Sequence, residues 1–259
     1  TTATVDGHYS NVAYLYSMRD AFIRWRDKFL ARGYINLKPS ESITDHFERL
    51  VFHMPYPKMA EYAAAFLFRH EWRGLPRWDE IISATGPEPL RITDGTIEEI
   101  ALDNEFLEKD NAFRREFVKT QHFKQAYEKV KNSIAISEQT GNLYTGSAPL
   151  GLRSMFEVDF RNNTDLAGAR IGIGFYGSGC EAVVHSGVIS ENYKEAVNRY
   201  YLLEELGNRQ KVSMEDYELL HENKLKPSES IIQPKKEFAL VKIGEAEIDP
   251  GGVVFISTH

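Results

Sequence analysis

The stretch Leu50-Val51-Phe52-His53-Met54-Pro55-Tyr56-Pro57-Lys58-Met59-Ala60 reads as a strand handing over to a helix. Leu50-Val51-Phe52 makes a short buried strand. Pro57 suits the first turn of a helix running to about Trp72, because the first helical N–H groups have no intrahelical partner to lose. His53 therefore stands at the carboxyl end of a strand, where open α/β sheets form their ligand crevices. A neutral imidazole there can donate from Nε2 to a carbonyl or take a proton from a nucleophile. A lone histidine is as a rule structural, so its chemistry depends on what else converges on it.

Upstream, Leu15, Met18, Phe22, Trp25 and Phe29 recur at spacings of three and four, one face of a helix that Gly33 can stop. Ser40 or Ser42 can cap a short helix, with Asp45 completing a capping box on Ser42. Downstream, residues 73–95 read as loop from their Gly and Pro content, and 96–132 as two charged helices broken near Asp110-Asn111. Residues 170–176 and 182–189 are strands around a Gly177-Ser178-Gly179 turn. Helices follow over Asn192–Leu206 and Ser213–Glu222, then strands over Phe238–Ile243 and Val253–Ser257. Alternating strands and helices with one hairpin predict an α/β fold with a mixed sheet and helices on its faces. The chain opens on Thr1–Val5, read as the end of a strand, and on a polar turn, Asp6-Gly7-His8. Such an opening is expected of a fragment, a processed half or one subunit of a split enzyme.

With 259 residues the chain can bury one sizeable core or two small ones. A net charge of −7 without a Lys/Arg cluster disfavours a nucleic-acid binder. The single cysteine, Cys180, excludes an internal disulfide framework. No apolar run approaches 18 residues. These features predict a cytoplasmic, soluble protein without membrane contact.

Two further segments carry polar groups out of apolar surroundings. In Gly141-Asn142-Leu143-Tyr144-Thr145-Gly146-Ser147, an asparagine amide can hold a carbonyl oxygen as it gains charge, and the glycines permit close approach. In Arg170-Ile171-Gly172-Ile173-Gly174-Phe175-Tyr176-Gly177-Ser178-Gly179, the Gly-Ser-Gly turn could be a plain hairpin. Taken with the His53 segment and Asp6-Gly7-His8-Tyr9-Ser10, they resemble the C-terminal half of hydroxymethylglutaryl-CoA (HMG-CoA) synthase, a condensing family of the thiolase superfamily. The resemblance runs from Asp6 through Tyr217-Glu218-Leu219-Leu220-His221, nearly the whole of residues 1–259, with a helical insertion at about 73–132 matching only in kind. It implies the C-terminal half of a thiolase-like α-β-α-β-α sandwich.

By that resemblance His53, Asn142 and Ser178 are catalytic, while Ser10, Lys58, Tyr144 and Gly177 contact the substrate or its CoA. Three positions depart from the family: Phe175 where a serine is usual, Tyr62 where animal synthases often carry a second lysine, and His8 for lysine. Cys180 is read as a small apolar residue beginning a buried strand, not as the nucleophile. The implied reaction condenses acetyl-CoA with acetoacetyl-CoA. It needs no metal or redox cofactor. Its nucleophilic cysteine and glutamate base have no motif in this chain, so the implied partner is an N-terminal half carrying them, in a homodimer or a dimer of heterodimers. Two readings stay beside this one: a synthase-like β-branching enzyme acting on carrier-protein-bound acyl groups, and a non-catalytic CoA-binding or scaffolding subunit. A β-ketoacyl synthase III type enzyme would show His-Gln-Ala-Asn and Asn-x-Gly-Asn-Thr, and neither occurs.

Overall fold

In the computed structural model, which describes residues 7–91, 95–177, 179–209, 211–222 and 224, the chain divides into one unit up to Asn208 and another from Arg209. The first is built on a mixed sheet, β1 (Arg49–Phe52), β2 (Arg170–Gly177) and β3 (Glu181–Val188), in that order. β1 runs parallel to β2, and β2 forms the expected antiparallel hairpin with β3. Register sets Phe52 beside Gly174, and the N–H of His53 donates to the Gly174 carbonyl at 2.8 Å. The strands expected at 1–5, 238–243 and 253–257 lie outside the described residues.

α1 (Gly7–Ala31) buries Met18, Phe22 and Phe29 as its periodicity requires, and Gly33 at φ +71° follows it. Gly7 and His8 belong to its first turn, not to a turn preceding it. Fully burying Met18 or Phe22 contributes about 1.5–3 kcal/mol each. The ion pairs on its outer side, such as Arg19–Asp20, are solvent-screened, so the apolar face decides where the helix sits. Ser42, rather than Ser40, caps the short 3-10 helix Ile43–His46, in a box completed by Asp45. α2 (Lys58–Trp72) begins after Pro57 as expected.

Residues 73–95 are not all loop. α3 (Pro76–Thr85) carries Pro76 in its first turn and is flanked by Gly74 and Gly86, both with positive φ. The glycines and proline mark the ends of a helix, not its absence. The charged stretch holds three helices, α4 (Ile97–Leu102), α5 (Asn104–Phe117) and α6 (Gln121–Lys131). The breaks fall where Asp103 and Thr120 accept from the N–H groups of Phe106 and Phe123. Asp110 lies inside α5 and pairs with Arg69 at 2.7 Å instead. After α7 (Ser137–Thr140) comes α8 (Ser147–Arg161), an element that sequence reading does not assign. The helix expected over 192–206 is two, α9 (Tyr193–Val197) and α10 (Leu202–Gly207), because buried Glu157 of α8 accepts from Leu202 and Leu203 N–H and starts α10 afresh. In the second unit, α11 (Met214–His221) is capped by Ser213, close to expectation.

Alternation along β1 sets the layers. Leu50 and Phe52 pack in one cluster with Met18, Phe22 and α2, while Val51 packs with Met155 of α8, Ile171 and Ile189 on the other face. At the amino end of β1, Arg49 makes two bonds of 2.9 and 2.7 Å to fully buried Asp159 of α8, which also accepts from Asn132.

Candidate active site

β1 and β2 are parallel, so both end at the same edge of the sheet, and there His53 is fixed from every side. Its N–H bonds Gly174, its carbonyl accepts from the buried Tyr14 hydroxyl at 2.8 Å, and Nδ1 lies 2.8 Å from Ser147 Oγ. Ser147 Oγ also accepts from Met54 N–H at 2.9 Å. Burial pushes the imidazole below its ordinary pKa, so it is neutral at neutral pH. Ser147 opens α8, and the positive end of that helix disfavours imidazolium in the same sense.

A cavity of about 330 Å³ opens over His53. Its walls come from α1 (Tyr9, Ser10, Ala13), the segment Asn142, Tyr144 and Thr145, and the end of β2 (Tyr176, Gly177). Thus Ser10, His53, Asn142, Tyr144 and Gly177, far apart in sequence, meet around one space. Asn142 Oδ1 accepts from Tyr144 N–H at 2.7 Å, which leaves the amide's NH₂ as the end available for an acceptor. Tyr144, at φ +50°, is 76 % exposed. That is a strained backbone region for a tyrosine, of the kind that clusters at functional sites. Burial first, then a hydrogen bond shared with Cys180, holds the Tyr176 phenol protonated. None of the described lining residues carries a formal charge at neutral pH, so the space suits an acyl group better than a phosphate.

Other calls fare differently. Ser178 lies outside the described residues. Lys58 is not brought to the cavity: it stands in the first turn of α2, and its ammonium pairs with Glu61 at 2.6 Å. Cys180 does not begin a buried strand. It is exposed in the β2–β3 turn at φ +59° and lines the cavity: the hairpin register starts β3 one residue later, at Glu181, and β3 itself has no buried residue. Ser147, Tyr14 and Tyr176 are site residues that sequence reasoning misses. Ser147 stands in the quoted Asn142 segment, but nothing local ties it to a histidine 94 residues away. A second cavity of about 80 Å³, beside Arg69 and His70, holds a guanidinium already paired to Glu88 and Asp110.

A mixed sheet between helical layers, with a histidine at a strand's carboxyl end and an asparagine on the same cavity, is the arrangement expected of a thiolase-like chain. The comparisons agree. A solved structure described as MvaS in complex with 3-hydroxy-3-methylglutaryl coenzyme A superposes with a TM-score of 0.60 at 28% identity, over 84% of this chain and 44% of that one. The family model "Hydroxymethylglutaryl-coenzyme A synthase C terminal" matches residues 2–242, and the chain belongs to that family. A hydroxymethylglutaryl-CoA synthase of Haloferax volcanii is 28% identical over 251 residues, 93% of this chain and 52% of that protein. A cytoplasmic hydroxymethylglutaryl-CoA synthase of Rattus norvegicus is 28% identical over 184 residues, 70% of this chain and 33% of that protein. The chain thus spans about half the length, or less, of these relatives.

Proposed function

We propose that this chain is the carboxyl-terminal half of a condensing enzyme that joins acetyl-CoA to acetoacetyl-CoA, giving HMG-CoA and free CoA. The observation that carries it is the convergence of His53, Asn142, Ser10, Tyr144 and Gly177 on one uncharged cavity at the carboxyl end of β1 and β2. An amino-terminal half supplies the thiolate and the glutamate. The thiolate takes the acetyl group from acetyl-CoA and releases CoA. The glutamate removes a proton from the acetyl methyl, and the resulting carbanion attacks the ketone of acetoacetyl-CoA. Negative charge then develops on the former ketone oxygen, where the His53 imidazole and the Asn142 amide donate hydrogen bonds to it, and the glutamic acid returns the proton it took, giving the tertiary alcohol. Water finally cleaves the enzyme thioester. By the family resemblance Ser178 is assigned to the acyl thioester, and Lys58, on the surface at the start of α2, exchanges Glu61 for a CoA phosphate. The two halves form a larger assembly in the cytoplasm. No helix among the described residues is long and apolar enough to cross a membrane.

The test is turnover of acetoacetyl-CoA by the complete enzyme. His53→Ala and Asn142→Ala each lower condensation by about 10²–10³-fold, with acetyl transfer less affected by the Asn142 change. Wild-type turnover in either variant removes that residue from the mechanism. Preference for acetoacetyl-carrier protein over acetoacetyl-CoA replaces the substrate assignment.

A further inference from the structure

The imidazole of His53 stabilises an oxyanion only if its one proton sits on Nε2, because Nδ1 is already turned into the protein against Ser147. In water both tautomers of a neutral imidazole exist, so something must choose between them. The structure contains a device that does so. Ser147 Oγ accepts from Met54 N–H at 2.9 Å, and the remaining polar atom within reach is His53 Nδ1 at 2.8 Å. A hydroxyl has one proton to give. The oxygen keeps a second lone pair, but an Nδ1–H filling it would leave the buried hydroxyl proton without an acceptor, so the arrangement favours the proton directed at an unprotonated Nδ1. The arrangement cannot slip, since Ser147 is 1 % and His53 6 % exposed. Both neighbours of the hydroxyl are also pinned by backbone: His53 bonds Gly174, and Ser147 is the first residue of α8.

We propose that Ser147 is a positioning residue that fixes His53 as the Nε2–H tautomer and so makes it a hydrogen-bond donor to the reacting carbonyl. The relay runs from Met54 N–H to Ser147 Oγ, from Ser147 O–H to His53 Nδ1, and from His53 Nε2–H into the cavity. No proton is transferred along it. The relay orders the donors and leaves the imidazole neutral throughout. This rests on the condensing-enzyme reading for the identity of the acceptor, but not for the tautomer itself.

The experiment is solid-state ¹⁵N NMR of the complete protein carrying ¹⁵N-imidazole histidine, with the His53 signals identified by their loss in His53→Gln. At neutral pH the expected spectrum shows His53 Nδ1 as an unprotonated ring nitrogen and Nε2 as a protonated one. Ser147→Ala removes the donor and shifts the tautomer ratio on the order of tenfold, the equivalent of one net hydrogen bond. Condensation falls by a similar factor in kcat, with KM for acetoacetyl-CoA retained, and Ser147→Thr, which keeps the hydroxyl, restores both. A proton on Nδ1 in the wild type overturns the proposal, and so does an unchanged tautomer in Ser147→Ala. If Ser147→Ala does not fold, the wild-type spectrum alone still decides. If the tautomers behave as described while neither protein condenses acetoacetyl-CoA, the functional reading fails and the tautomer device stands.

Discussion

Gly174→Ala is expected to disturb stability and catalysis together. A methyl at this point of β2 would lie 2.5 Å from Met18 Sδ and 3.1 Å from Met18 Cε. Apolar contacts settle near 3.5–4.0 Å, so the Met18 thioether must swing aside, or α1 and the strand must part, by about 1 Å. Met18 is 3 % exposed and shares a narrow apolar space with Phe22, Leu50 and Val184, so its movement disturbs their packing. Overpacking of this kind costs about 1–3 kcal/mol. In urea unfolding of the complete protein, that appears as a midpoint lower by roughly 0.5–1 M. The same carbonyl that accepts from His53 N–H belongs to Gly174, so any part of the shift taken up by the strand also displaces the imidazole. A misplacement of about 1 Å can cost ~10²-fold in rate. The structure further demands a specific rescue. Met18→Ala alone costs about 2–5 kcal/mol by leaving a cavity. Placed with Gly174→Ala it removes the clash, so the double variant should be more stable than the sum of the singles by on the order of 1–3 kcal/mol. Additive losses, or a Gly174→Ala protein with wild-type midpoint and turnover, would refute the close approach of α1 to β2.

Two more outcomes can be checked with the same protein. Lys58→Ala should raise KM for the CoA substrates while most of kcat is retained, and the effect should shrink in high salt; a collapsed kcat with unchanged KM contradicts a phosphate-binding role. Burial, followed by the nearby Arg73, Arg19 and Arg26, holds the pKa of His70 down at about 4 against an ordinary 6.5. The unfolded chain therefore takes up that proton first, and the stability contributed is complete above pH 6.5 and is lost as pH falls toward 4. In His70→Gln the fall in urea midpoint over that interval should be shallower than in the wild type, and an identical slope would remove His70 as its source.

What the sequence makes legible is what neighbouring residues decide. The apolar face of α1, the Ser42–Asp45 box and the β2–β3 hairpin all follow from spacing within a few residues. His53 and Asn142 are legible because short motifs frame them, and a strand end followed by Pro57 places the histidine at a crevice. The misses have distant causes. α10 begins where it does because Glu157, 45 residues earlier, caps it, and Asp110 fails to end α5 because Arg69 holds its carboxylate. The Gly and Pro residues around α3 are real punctuation, read on the wrong side of the helix boundary. Cys180 shows the same limit: one residue of register leaves it in an exposed turn, and β3, which it is expected to begin as a buried strand, has no buried residue.

The ties of β1 to α8 have a mechanical consequence. Strand and helix lie side by side in opposite directions, and each end of the strand is fastened to the helix: Arg49 to Asp159 at one end, His53 to Ser147 at the other. The two fastenings are about 13 Å apart along the strand and about 18 Å apart along the helix. A bar held at two separated points cannot pivot about either one. The angle of the imidazole toward its cavity is thus set partly by an ion pair at the far end of the strand. Loosening that distant bolt would let the histidine rock without altering a single atom of the cavity wall.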